Sequence, residues 1–349
     1  MKFYPPVLPL ELERELFAAA LDFRRAEPWR LLANTHFLFV AEPTGGRRVL
    51  TVLGNAGMQY GLQSYGASCA AQFLMLCEEM PRMQLLSPTI LYELLEGVDV
   101  EFTAKGELDT HDHARAGRCD YRPVPRARQA WLRFRAWRPN RFPWHVDEGH
   151  VRRLLGDLRR ALRWAELAPT LRWTDLDQPV ALRRLPVVAE SLPTDRPWTA
   201  ADLTWERLVL PPAPVVPQLS VDLTRLADWR SRPLDARYQV VVDERAPMIR
   251  IADEAGGAPY FPRMGLCLDG QNGMILGNSM GRPDDAFGLA AVSALDAAIR
   301  ARGSRPGAVH FANPSFALAL GAVLRGADIK LAPGQVPPQA LNEVWSMIT

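Results

Sequence analysis

The sequence predicts a two-domain α+β or α/β protein in which each domain is a mixed sheet built from hairpin-plus-helix units. Three observations predict it. The chain has 349 residues, room for two domains at roughly 100–200 residues each. The stretch "PPAPVVPQ", residues 211–218, has the proline content of a semi-rigid linker. Two glycine-rich stretches, "LGNAGMQYGLQSYG" (Leu53–Gly66) and "LDGQNGMILGNSMG" (Leu268–Gly281), share Gly-x-x-Gly-Met-x-x-Gly, and each lies between an apolar run and a helical pattern. The expected boundaries are an N-terminal α+β domain over 1–210, the linker, and a mixed α/β domain over 219–349.

In the first domain, residues 9–24 read as an amphipathic helix with Leu12, Leu16, Ala19 and Phe23 on one face. "HFLFVAEP" is a strand, and "RRVLTVLGN" and "MQYGLQSYG" form a hairpin whose "GNAG" supplies the left-handed positions of a tight turn. Ser68 can cap a helix through "CAAQFLMLCEEM". A short helix in "SPTILYELLEG" and a strand in "VDVEFTA" follow. In "WLRFRAW", alternation places Trp131, Arg133, Arg135 and Trp137 on one face of a strand, and Leu132, Phe134 and Ala136 on the other. From Val151 to Leu167 a helix returns, with Val151, Leu155, Leu158 and Leu162 on its apolar side, and "LTWERLVL" is a strand.

After the linker, "VDLTRLADW" is a short helix. "RYQVVVDE", "MIRIADE", "RMGLCLDG" and "GMILGNSM" read as four strands. A helix over about 284–302, the strand "AVHFAN", the helix "PSFALALGAVLRG", the strand "DIKLAP" and a helix opening at Pro338 complete the chain. A meander followed by alternating helices and strands implies a mixed sheet covered by helices.

The formal net charge is +2, with 41 basic and 39 acidic side chains, so whole-chain electrostatics give no mandate for nucleic acid or membrane. No apolar run approaches ~18 residues, and the N-terminus lacks the apolar core of a signal peptide. None of the four cysteines forms a Cys-x-x-Cys pair, as expected of reduced thiols in the cytoplasm.

Neither glycine stretch is a phosphate loop, because no Gly-Lys-Ser/Thr occurs and the glycines bracket a hairpin before any helix starts. The sharpest acid is Asp269, at the end of "GLCLD". An Asp on a hairpin strand followed by helix, strand, helix, strand resembles the ribonuclease H-like nuclease and integrase folds, which gather several carboxylates around two divalent metals. The position where a second carboxylate is expected holds Asn313. The competing reading of Asp269 is a turn residue satisfying backbone amides. In "DTHDHARAGRCD", His111, His113 and Cys119 are the candidate metal ligands, although their spacing matches no familiar zinc motif. The segment 115–165 interleaves arginines with Trp131, Phe134, Trp137 and other rings, a composition able to grip single-stranded nucleic acid; Arg133, Arg135 and Trp137 are its candidate contacts. The alternative is a solvated face whose Arg stems cover the rings.

The N-terminal part resembles a bacterial domain family of unknown function through "PWRLLANTHFLFVAEP", "VLGNAGMQYGLQSYG" and "FRAWRPNRFPWHV". The C-terminal part resembles a second uncharacterised domain that often follows the first, through "PYFPRMGLCLDGQNGMILG" and "RGSRPGAVHFANPSFALALG". The resemblance implies the two-domain order and a bacterial origin, and implies no established activity. Members can carry a Cys-rich zinc-binding tail; this sequence has none, so that zinc site is not expected. The resulting expectation is a non-catalytic cytoplasmic protein that binds a small ligand or a protein partner. No cofactor is expected, and the polar surface is placed near Asp269, Asn278 and Asn313. The alternatives are a metal-dependent nuclease or phosphodiesterase using Asp269, which alone would need a divalent metal, and nucleic-acid binding through the Arg/aromatic segment.

Overall fold

A computed structural model describes residues 6–33, 35–79, 95–123, 129–171, 183–207, 219, 221–247, 249–253, 258–311, 314–332 and 338–348. The chain divides into two compact units, one essentially Met1–Pro211 and the other Pro212–Asp253 with Pro259–Thr349. The expected linker 211–218, the helix in "SPTILYELLEG" and Asn313 lie outside the described residues.

The N-terminal unit is a seven-stranded sheet in the order β5-β4-β3-β2-β1-β6-β7. Its strands are β1 Leu38–Ala41, β2 Arg47–Leu53, β3 Tyr60–Tyr65, β4 Gly97–Thr103, β5 Trp131–Trp137, β6 Arg184–Ala189 and β7 Thr204–Arg207. All neighbours are antiparallel except β1 and β6. Period-two patterning gives the sheet two buried faces. Leu50, Val52, Leu62, Val98, Val100, Phe102, Leu132 and Phe134 face helices α1 (Leu10–Ala26) and α4 (Glu148–Leu167). Phe39, Val49, Tyr65 and Val187 face α2 (Ala70–Glu79). The helix α3 (Thr110–Arg118) opens on a capping box: Asp109 accepts from the amides of His111 and Asp112, while the Asp112 side chain reaches back to the Asp109 amide. Asp147 caps α4 in the same way through His150.

A buried polar network lies between the sheet and α4. Arg48 on β2 is buried against Asp157 of α4, with Nη2 3.0 Å from Oδ1. Ser64 Oγ donates to Asp157 Oδ2 at 2.7 Å, and Arg160 donates to Oδ1 at 3.3 Å. Glu190 meets Arg48 Nη1 at 2.7 Å. The network ties β2, β3 and α4 together.

The C-terminal unit has five strands in the order β10-β9-β8-β11-β12: β8 Leu234–Arg245, β9 Arg263–Asp269, β10 Ile275–Gly281, β11 Arg305–Phe311 and β12 Lys330–Ala332. The first three are antiparallel in series; β11 runs parallel to β8 and β12 parallel to β11. Helices α5 (Leu223–Ser231), α6 (Leu289–Arg302) and α7 (Pro314–Gly326) cover one face over Val240, Val242, Cys267 and Val309. The helix α8 (Pro338–Ile348) covers the other through Leu341 and Trp345 over Val241, Leu266 and Leu268. "MIRIADE" is not a strand in its described residues: Ile251 makes one isolated bridge, to Tyr260.

The two glycine stretches are both hairpins, β2–β3 and β9–β10, yet their glycines answer different demands. Gly54 sits at φ +139°, where a Cβ would strike Trp29 and Tyr60 at 2.6–2.7 Å. Gly277 lies under α6, where a Cβ would come 2.2 Å from the Ala294 carbonyl oxygen, and at Gly265 on the partner strand it would come 2.1 Å from that of Ala290. Helix backbone therefore rests directly on strand backbone. Gly265→Ala is expected to cost about 1–3 kcal/mol by forcing α6 off the sheet, read as a lower urea midpoint; an unchanged midpoint would show that α6 shifts freely.

Candidate functional site

One open cleft of the N-terminal unit begins with the end of α1. Glu27 takes a left-handed conformation, φ 46°, and turns the chain into a short 3-10 turn at Pro28–Arg30. This brings Trp29 against Tyr60 at 5.0 Å and Phe102 at 6.0 Å between ring centroids. Arg24, in the last turn of α1, lays its guanidinium 5.0–5.3 Å from all three rings. Such a stack fixes the cation by its attraction to ring faces. Arg24 has no ion-pair partner among the described residues, whereas Glu27 is paired with Arg30 at 2.7 Å. Arg24, Glu27, Gly57, Met58, Tyr60, Ala104, Glu107 and Gln129 enclose a cleft of about 470 Å³. Gln129 Nε2 donates to the Met58 carbonyl at 3.0 Å, holding the hairpin turn at its rim, and Met58 itself is exposed.

A second polar cluster lies at the start of α3. Arg135 of β5 grips Asp112 through both guanidinium ends, at 2.8 and 2.6 Å, and reaches Asp109 Oδ2 at 3.3 Å. His145 Nε2 lies 3.2 Å from Asp109 Oδ2. Burial pushes Asp109 up, but the His145 hydrogen bond, the Asp112 amide and the charges of His145 and Arg135 outweigh it and hold the carboxyl well below its usual range. The His111 ring packs edge-on against His145 with centroids 4.6 Å apart. Burial, then the charges of His145 and Arg115, bring the His111 imidazole down to about 4, so it is neutral at pH 7.

Residues 14–176 match the family model of a domain of unknown function, DUF7309, and residues 233–348 match that of another, DUF6930. The two matches follow one another along the chain, one in each compact unit. No curated protein matches it. The cleft and the His–Asp cluster both fall within the residues matched to DUF7309.

Within the DUF7309 domain, the structure separates the three metal candidates read from the sequence. His111 faces His145; His113 packs on Trp131, 5.6 Å between centroids; Cys119 follows the last turn of α3 and packs against the core. Asp109, Asp112 and His145 are the ones brought together. His145 comes from the segment after β5, a partner that linear spacing within "DTHDHARAGRCD" could not reveal. The alternation of β5 is as expected, with Leu132, Phe134 and Ala136 buried. Its other face is neutralised by its neighbours. Arg133 pairs with Glu101, Arg135 with Asp112, and Trp137 Nε1 donates to Asp99.

In the DUF6930 domain, Asp269 serves the β9–β10 turn: Oδ1 accepts from the amides of Gln271 at 2.8 Å and Asn272 at 3.3 Å. Asn278 is exposed on β10 opposite Leu266, so by strand alternation it lies on the face of the sheet opposite to Asp269. The two do not converge on a cleft. The buried acids of this domain are committed as well. Glu244 caps α6 by accepting from the amides of Gly288 at 3.3 Å and Ala291 at 3.0 Å. Asp243 accepts from Trp345 Nε1 at 3.0 Å.

Proposed function

We propose that the chain is a non-catalytic binding protein whose DUF7309 domain takes a small ligand bearing an anionic group. The observation that carries this reading is Arg24, a cation held over Trp29, Tyr60 and Phe102, lining the cleft and without a carboxylate partner among the described residues. An uncompensated guanidinium with a fixed plane favours a carboxylate or phosphate. Glu107 on the same wall offers an acceptor for a donor group of the ligand, and the volume suits a small molecule.

The other readings are not favoured. Asp269 accepts turn amides, and among the described residues no group of carboxylates assembles around it. The arginines of β5 already face acids, which lowers their value for phosphate. The strand order of the DUF6930 domain supports a ribonuclease H-like arrangement as part of the same proposal, as a shape and not an activity. The cytoplasmic, bacterial setting expected from the sequence belongs to it too. The free thiols Cys69, Cys119 and Cys267 support that setting. No helix among the described residues is long and apolar enough to cross a membrane.

The test is a thermal-shift screen of the full chain against small carboxylates and phosphate esters, followed by calorimetry. At least one class is expected to raise Tm, and Arg24→Gln to weaken its binding about 10-fold or more, the loss of a charge-assisted contact. No stabilising anion, or equal affinity in Arg24→Gln, would sink the reading.

A further inference from the structure

We infer that the edge strand β10 is a pairing surface for a second copy of this chain, joining two five-stranded sheets antiparallel about a two-fold axis at Asn278. An outermost strand presents backbone N–H and C=O groups without ladder partners, and proteins usually blunt it with charge, proline, shortness or cover. The other outer strands are blunted in this way. β7 has four residues, two of them Glu206 and Arg207. β12 has three and opens with Lys330. β5 carries Arg133 and Arg135, and Trp144 bridges to it at Ala136. β10 has seven residues with no charge and no proline, and β9 is its one strand neighbour among the described residues.

The side chains along β10 form a palindrome. Its register against β9 slips between Ile275 and Gly277, so Leu276 and Gly277 together oppose one position of β9. Leu276 turns into the core on the α6 side. The slip leaves Ile275, Asn278 and Met280 opposite Leu268, Leu266 and Met264, all on the face that α8 covers over β8 and β9. On β10 that face is open: Ile275 is 47% and Met280 59% exposed, with Asn278 exposed between them.

With the bulge counted as one position, an antiparallel strand centred on Asn278 sets Ile275 of each copy against Met280 of the other. Asn278 meets its own counterpart. An Asn amide both donates and accepts, so two of them across the axis can bond reciprocally. On the α6 face the positions that meet are Gly277 and Ser279, too small to hold the backbones apart. Arg282, just past the strand, comes towards the Gln271–Asn272 turn of the second copy, so no like charges oppose each other. This match of the strand to itself selects a second copy over a foreign peptide, and gives the isologous contact of a two-fold dimer. One strand and a few side chains make a small interface, so the dimer is a concentration-dependent one.

The test is analytical ultracentrifugation of the full chain from micromolar to submillimolar concentration, where a reversible monomer–dimer equilibrium is expected. Asn278→Lys and Asn278→Asp each place like charges across the axis, and each is expected to weaken the dimer at least about 10-fold. Mixed in equal amounts, the two variants are expected to restore it, because opposite charges then meet. Met280→Lys is expected to weaken it as well, and decides the matter if circular dichroism shows that the Asn278 variants fail to fold. Leu223→Lys, at an apolar residue 79% exposed on α5, is expected to leave the dimer unchanged. A chain that stays monomeric at every concentration, as it would if the edge served only a foreign peptide, overturns the pairing. So does a dimer that ignores the Asn278 and Met280 variants, no recovery on mixing, or loss of the dimer in Leu223→Lys.

Discussion

Asp157→Ala is expected to lower the unfolding free energy by about 3–5 kcal/mol, the cost of taking a fully buried carboxylate from the donors that share it, with Arg48 left to the more exposed Glu190 and Glu42. Asp157 is fully buried and Arg48 is 2% exposed. The loss falls on three donors together, because Arg48, Ser64 and Arg160 all donate to the same carboxylate. Replacing both partners with apolar side chains, Arg48→Met with Asp157→Leu, is expected to recover most of the loss, since the pair offsets its own desolvation only in part. Urea unfolding of the single and double variants checks this. A single variant that loses less than about 1 kcal/mol would mean that water already reaches Arg48.

Asp99→Asn is expected to stabilise the protein above neutral pH by an amount approaching 4 kcal/mol, about 1.4 kcal/mol for each unit by which the folded-state pKa is raised. Burial lifts Asp99 to about 7, against the lowering effect of the Trp137 hydrogen bond, with Glu101 adding to the rise. An acid whose pKa is raised on folding binds more protons folded than unfolded. Its contribution is therefore neutral below about pH 4, becomes destabilising as pH rises from about 4 to about 7, and is constant above that. Asn keeps an acceptor for Trp137 and has no charge to lose. The difference in unfolding free energy between variant and wild type should thus be near zero at pH 4 and grow to a plateau above pH 7. A difference that does not change with pH would show that the Asp99 carboxyl is solvated.

Much of the frame was legible. The alternation in "WLRFRAW", the helical faces of 9–24 and 151–167 and the two glycine hairpins are period signals, local to the chain, and the structure has each of them, with the helices over Leu10–Ala26 and Glu148–Leu167. β6 carries no clear period signal, and Pro186 interrupts its short apolar run. The proline is tolerated because β6 pairs with β1 only from Val187 onward, so at Pro186 one side of the strand carries no ladder. "MIRIADE" alternates like a strand and finds no sheet edge to join. The candidate sites were the least legible. Arg24 is one of many surface-type arginines until the turn after α1, β3 and β4 bring three rings beneath it. His145 meets Asp109 across a separation that no spacing rule spans. Asp269 shows the converse, an acid in a suggestive sequence position whose lone pairs are taken by the turn it closes.

The parallel pairing of β1 with β6 bears on how the chain is made. Between them in sequence lie β2 through β5 and all of α4. On the ribosome, β1 has no neighbour on that side until residues 184–189 have been synthesised, long after the antiparallel strands on its other side are available. The open edge faces the growing complex with unpaired amides and carbonyls during that interval. Its apolar residues on both faces make that edge liable to pair with other strands until β6 arrives.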